Sequence, residues 1–203
     1  MSSRRAFLQS AATMTVASAV PLSSEVAVAG QRGATLFATT PLAVFDSRYP
    51  DARLFGRQAE RLGAVPRAIV ADITELWRQE LRVLWQAGQG SLLGLTEAPA
   101  LFLLERLGWD HDLRVIFQAE HELATAADGA AHCLLQCADT ALPPLLVEAG
   151  NGWPAALATA LMTEPLPLPR TPLPTAAGMA AQPGENTKKL HSWIIAPRTA
   201  VRT

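Results

Sequence analysis

From Thr40 to about Ala119, short unbroken apolar runs alternate with longer stretches whose apolar positions recur every third or fourth residue. That alternation is the mark of βα units around a parallel sheet. The first run, residues 42–45, ends at Asp46; Pro50 and Asp51 then open a helix carried by Phe55, Ala59 and Leu62 and stopped by Gly63. The second run, residues 68–71, ends at Asp72, and Thr74 is the expected cap of the next helix. Leu76, Trp77, Leu81, Leu84 and Trp85 form the apolar stripe of that helix, and Gly88 closes it. The third run, residues 92–95, reaches Thr96 and enters a mostly apolar helix through Leu107, with Gly108 behind it. A helix so apolar is expected to be covered on more than one side.

Residues 113–117 predict a fourth strand running on toward His121, and residues 131–137 a fifth, with Asp128 and Gly129 turning between them as a hairpin. A helical turn is the alternative for the fifth run, and it would stack Cys133 over Cys137. Beyond Leu142, Pro143-Pro144 and Gly150-Asn151-Gly152 bracket a short helical piece, and Trp153 with Pro154 opens another to about Thr163. A proline-rich tract over 165–174, with low complexity to about Gly184, predicts an extended connector. Residues 193–196 predict a final strand that returns to the sheet. The expected architecture is one α/β domain of three-layer type. Its sheet is mixed and mainly parallel, with the first three strands parallel and a late antiparallel hairpin closing an edge.

Composition narrows the setting. Of 203 residues, 49% are hydrophobic and 17% charged, which excludes a disordered or fibrous chain. Seventeen Lys plus Arg against eighteen Asp plus Glu give a net charge of −1, so no large field attracts nucleic acid. Two cysteines are too few for a disulfide scaffold.

The first thirty residues differ from the rest. A charged tip, Met1 to Gln9, precedes a weakly apolar run from Ala11 to Leu22, no acidic residue occurs before Glu25, and Ala27-Val28-Ala29 has the small-x-small pattern of a cleavage site before Gly30. Within the tip, Ser3-Arg4-Arg5-Ala6-Phe7-Leu8-Gln9 resembles the twin-arginine export signal, with Arg4, Arg5, Phe7 and Leu8 in register and only Gln9 departing, where the family has Lys. The resemblance implies export of an already folded chain by the twin-arginine machinery and a periplasmic location, with the inner membrane met only in transit. Many proteins with this signal carry a redox cofactor or travel with a partner that does. The expected division is then 1–29 signal, 30–164 α/β domain, 165–190 connector and 191–203 final strand and tail.

In a parallel sheet, ligands bind beyond the carboxyl ends of the strands, where helix N-termini present unpaired N–H groups. That rule selects Asp46, Ser47 and Arg48 after the first strand, Asp72 and Thr74 after the second, and Thr96 with Glu97 after the third. The competing reading is that Asp, Ser and Thr at these places are helix caps, and that Arg48 only forms an internal ion pair. Glu120, His121, Glu122, His132, Cys133 and Cys137 invite a metal reading, but their spacing matches no familiar zinc pattern, and no metal site is assigned. If the hairpin forms, His121 and His132 approach each other across it. Ser47, Ser91 and Ser192 lie in no nucleophile elbow, Gly88, Gly90 and Gly94 miss the dinucleotide fingerprint, and Lys188 and Lys189 sit in no phosphate loop. Arg53, Arg57 and Arg61 read as a solvated helix face, and Trp77 with Trp85 as sheet packing.

The chain therefore reads as an exported non-catalytic protein, either an accessory to a redox enzyme or a binder of a small ligand at the strand ends. The rival is a small hydrolase or transferase in which Asp46 or Asp72 acts as a base. The sequence names no cofactor.

Overall fold

Strands β1 (Leu42–Asp46) and β3 (Leu92–Thr96) are apolar at nearly every position and, Phe45 aside, buried throughout. Strands with no polar face need cover on both sides, which is why they pair in parallel between two helical layers. The structure, a computed structural model, describes residues 37, 39–123, 130–136, 141–163 and 188–197. The segment read as an export signal, the expected turn at Asp128-Gly129, Cys137 and the 165–184 tract lie outside the described residues.

Strand β2 (Val65–Ile69) pairs with the other side of β1, and β4 (Leu113–Leu123), β5 (Ala131–Gln136) and β6 (Lys188–Pro197) complete a six-stranded sheet of order β2-β1-β3-β6-β4-β5. β1, β2, β3 and β4 share one direction, while β5 and β6 oppose them. Helices α1 (Pro50–Arg61), α5 (Leu142–Glu148) and α6 (Trp153–Thr163) cover one face, over Ala43, Leu93, Leu95, Phe117 and Ile194. The other face carries α2 (Thr74–Leu76), a π-helical turn (Trp77–Leu81), α3 (Arg82–Gln86) and α4 (Ala98–Trp109), over Val44, Leu92, Trp193 and Ile195. Neighbouring strand residues thus serve opposite layers, as the pleat requires. This is the three-layer α/β domain with a mixed sheet that the apolar pattern predicts.

Three elements depart from expectation. β2 spans Val65–Ile69 rather than 68–71: Val65 N–H bonds the Pro41 carbonyl, Pro66 is tolerated because the strand is an edge, and Ala71 turns the chain with φ of 61°. The second helix is interrupted by the π turn, and of its stripe only Leu81 and Trp85 are fully buried, with Leu76, Trp77 and Leu84 packed at the margin. The final strand starts at Lys188, before the expected boundary at 190, and inserts between β3 and β4 in the middle of the sheet.

The fifth run is a strand, so the helical alternative that would stack Cys133 over Cys137 is excluded for residues 131–136. Gly94 of β3 explains how β6 fits in the centre. The Trp193 indole of β6 occupies the space where a side chain at 94 would begin, and its Nε1–H donates to Thr96 Oγ1 at 3.0 Å.

Candidate functional site

Asp46 is the last residue of β1 and is fully buried. A buried carboxylate needs a cation and several donors, and the next turn supplies both. Arg48 N–H donates to Oδ1 at 3.1 Å, Nε–H donates to Oδ1 at 3.0 Å, and a terminal N–H donates to Oδ2 at 2.6 Å. The same guanidinium donates to Glu97, which follows β3, and the Tyr49 hydroxyl donates to the other oxygen of Glu97. The guanidinium of Arg48, whose side chain is 39% exposed, therefore lies over the buried Asp46 carboxylate. Its pKa is raised further, first by the hydrogen bond to Asp46 and then by that to Glu97. Burial, followed by the bond to Glu97, pushes the Tyr49 phenol up to about 12.

The remaining strand-end residues are spent locally. Ser47 Oγ donates to the Ile69 carbonyl at 3.0 Å, tying the end of β1 to that of β2. Asp72 is exposed, and its Oδ1 accepts from Thr74 N–H at 2.9 Å and from Thr74 Oγ1 at 2.7 Å. The Thr74 hydroxyl, followed by its backbone N–H, holds the Asp72 carboxyl below the usual range. Thr74 is thus the first helical residue and not the cap: Ile73 holds the N-cap position without a side-chain cap bond, and Asp72, one residue earlier, accepts from Thr74 N–H, which corrects the expected cap. Thr96 is buried; its hydroxyl accepts from Trp193 and donates to the Glu97 carbonyl at 3.2 Å.

The structure thus brings Asp46, Arg48 and Glu97 together and adds Tyr49, while Ser47, Asp72, Thr74 and Thr96 serve the backbone and the core. Tyr49 was not among the residues selected from the sequence. The available signal was its identity: it is the single tyrosine of the chain, one residue past the arginine.

A second polar cluster lies on the α6 side of β4, β5 and β6. His121 and His132 are register partners, and their Nδ1 atoms are 2.9 Å apart. His121 Nε2 lies 2.7 Å from Ser192 Oγ, and the Trp153 indole stacks on the His121 ring with centroids 4.6 Å apart. One proton must be shared between the two Nδ1 atoms, so a neutral pair fits and a doubly charged pair does not. Burial, followed by the charges of His132 and His191, holds His121 well below its ordinary value, and burial lowers His132 to about 4. The hairpin reading places these histidines together; Ser192 and Trp153 were not foreseen as their partners.

Ser192 and His121 are both fully buried, so this serine and histidine have no route to a substrate among the described residues. On the opposite face, Lys189 Nζ donates to Glu120 Oε1 at 2.6 Å, and His191 Nε2 is 4.0 Å from Glu120 Oε2. Cys133 is exposed on β5. Among the described residues, no group of three His, Cys, Asp or Glu side chains is placed to hold a metal ion.

Arg53, Arg57 and Arg61 lie exposed along α1. Trp77 and Trp85 meet edge to face at 5.6 Å over the sheet. Comparison of the chain with protein-family models, with curated proteins and with solved structures finds no match.

Proposed function

We propose that the chain is an exported periplasmic protein that acts as a non-catalytic accessory to a redox enzyme. The observation that carries the non-catalytic half is the burial of Asp46 beneath Arg48. A general base must reach the proton it takes, and both oxygens of this carboxylate face the protein's own guanidinium. The other candidate base, Asp72, sits in an exposed turn with its Oδ1 given to Thr74.

The exported half rests on the resemblance of Ser3-Arg4-Arg5-Ala6-Phe7-Leu8 to the twin-arginine signal, and the redox partner on what that resemblance implies. No helix among the described residues is long and apolar enough to cross a membrane.

The test is to express the full chain in a bacterium with a twin-arginine pathway and to analyse the periplasmic form by native mass spectrometry. The proposal expects a chain beginning at Gly30, bound to a second exported subunit and inactive alone, with an Arg4→Lys, Arg5→Lys variant retained inside. Substrate turnover by the purified chain alone, or secretion unchanged in the double variant, overturns it.

A further inference from the structure

Helix α4 buries Ala100, Leu101, Leu104 and Gly108 against the sheet and leaves Phe102, Leu103 and Trp109 54%, 45% and 44% exposed. At about 100° per residue, Phe102, Arg106 and Trp109 share one narrow sector opposite the buried side. The Arg106 guanidinium lies 4.2 Å from the Trp109 ring centroid and 5.3 Å from that of Phe102. Arg114 of β4 lies 6.0 Å from the centroid of the same indole. Among the described residues neither guanidinium is paired with a carboxylate.

These facts combine in one surface. Three large apolar side chains stand in solvent on a single helix, around a cation held in place by two aromatic rings. Trp and Arg are the residue types that carry binding energy at protein interfaces. Contact with the two rings restrains the guanidinium, which lowers the ordering cost of pairing it. Its planar fork can hold a carboxylate through two parallel N–H···O hydrogen bonds.

We propose that the exposed face of α4 docks a protein surface bearing a carboxylate set among apolar residues, with Arg106 as its anchor and Phe102, Leu103 and Trp109 packing around it. This names the face and the chemistry by which the accessory would hold its partner, so it rests on the function proposed above.

The experiment is site-specific photocrosslinking from position 103 of the full, exported chain, with the linked peptide identified by mass spectrometry. The proposal expects an adduct on another exported protein, at an Asp or Glu flanked by apolar residues. The adduct falls by at least about tenfold in Arg106→Glu and returns when the mapped carboxylate is changed to Arg. Because Arg106 is exposed, Arg106→Glu keeps the parent melting temperature, and Phe102→Ser provides a second variant that loses the adduct without a charge change. An adduct to a second copy of this chain, to lipid or to nothing overturns the proposal, as does an adduct indifferent to Arg106→Glu. Failure of the accessory reading looks different: the chain then stays inside or turns over substrate alone.

Discussion

In the parallel half of the sheet, β1 and β3 are buried along nearly their whole length, and their polar ends are closed by Asp46, Arg48, Glu97 and Tyr49. In the antiparallel half, β4 alternates between buried and partly exposed residues. His121 points to one layer, whereas Glu120 and Glu122 stand partly exposed on the other face. The first half has helices above and below; the second is covered by α5 and α6 on one face and by α4 over part of the other, where Lys189 and Glu120 form a polar edge. Polar groups therefore behave differently in the two halves. Near β1 the charge is buried and its pairing holds up structure, whereas near β4 the ion pairs are wet and the buried polar groups, the His121 imidazole and the Ser192 hydroxyl, meet each other without a charge.

The sharpest way to break this contrast is to remove the buried partner. Arg48→Met leaves the Asp46 carboxylate in the interior without its cation, and we expect a loss on the order of 3 kcal/mol in urea unfolding, the low end for a buried pair because Arg48 itself is partly exposed. Next is Gly94→Ala, which puts a methyl where the Trp193 indole lies; displacement of that ring is expected to cost about 1–3 kcal/mol, read as a lower urea midpoint with an unchanged slope.

The antiparallel half responds to acid. His121 and His132 have lowered pKa values in the fold, so the unfolded chain binds protons more readily. Their contribution is complete above the ordinary value of 6.5 and is lost as pH falls toward about 4, where His132 titrates in the fold. Urea midpoints should therefore drop across that window in the parent and drop less in His132→Asn. Smallest is Lys189→Met: its pair with Glu120 is partly exposed on both sides, and the expected change is under about 1 kcal/mol by the same measurement.

Much of the parallel half is legible in the sequence, because strands buried on both faces read as unbroken apolar runs and their helices carry a clear stripe. The lag at β2 arises because its edge position admits Pro66 and Arg67, which look like a loop in a linear reading. The π turn at Trp77–Leu81 leaves no pattern, since inserting one residue in a helix shifts phase without changing composition.

At the site, Asp46 and Arg48 are close in sequence and so were visible as a pair. Glu97 and Tyr49 complete the network only because β3 lies beside β1. Ser192 was beyond reach for a stronger version of the same reason: β6 comes from the far end of the chain and enters the middle of the sheet.

The central claim is that the strand-end carboxylate is a buried structural charge. The melting temperature of Asp46→Asn beside Asp72→Asn tests it most directly. Asp46→Asn should melt at least about 5 °C below the parent and Asp72→Asn within about 2 °C of it, since only the first removes a buried charge from its cation. An Asp46→Asn chain that melts with the parent would contradict the account and return Asp46 to the list of catalytic bases.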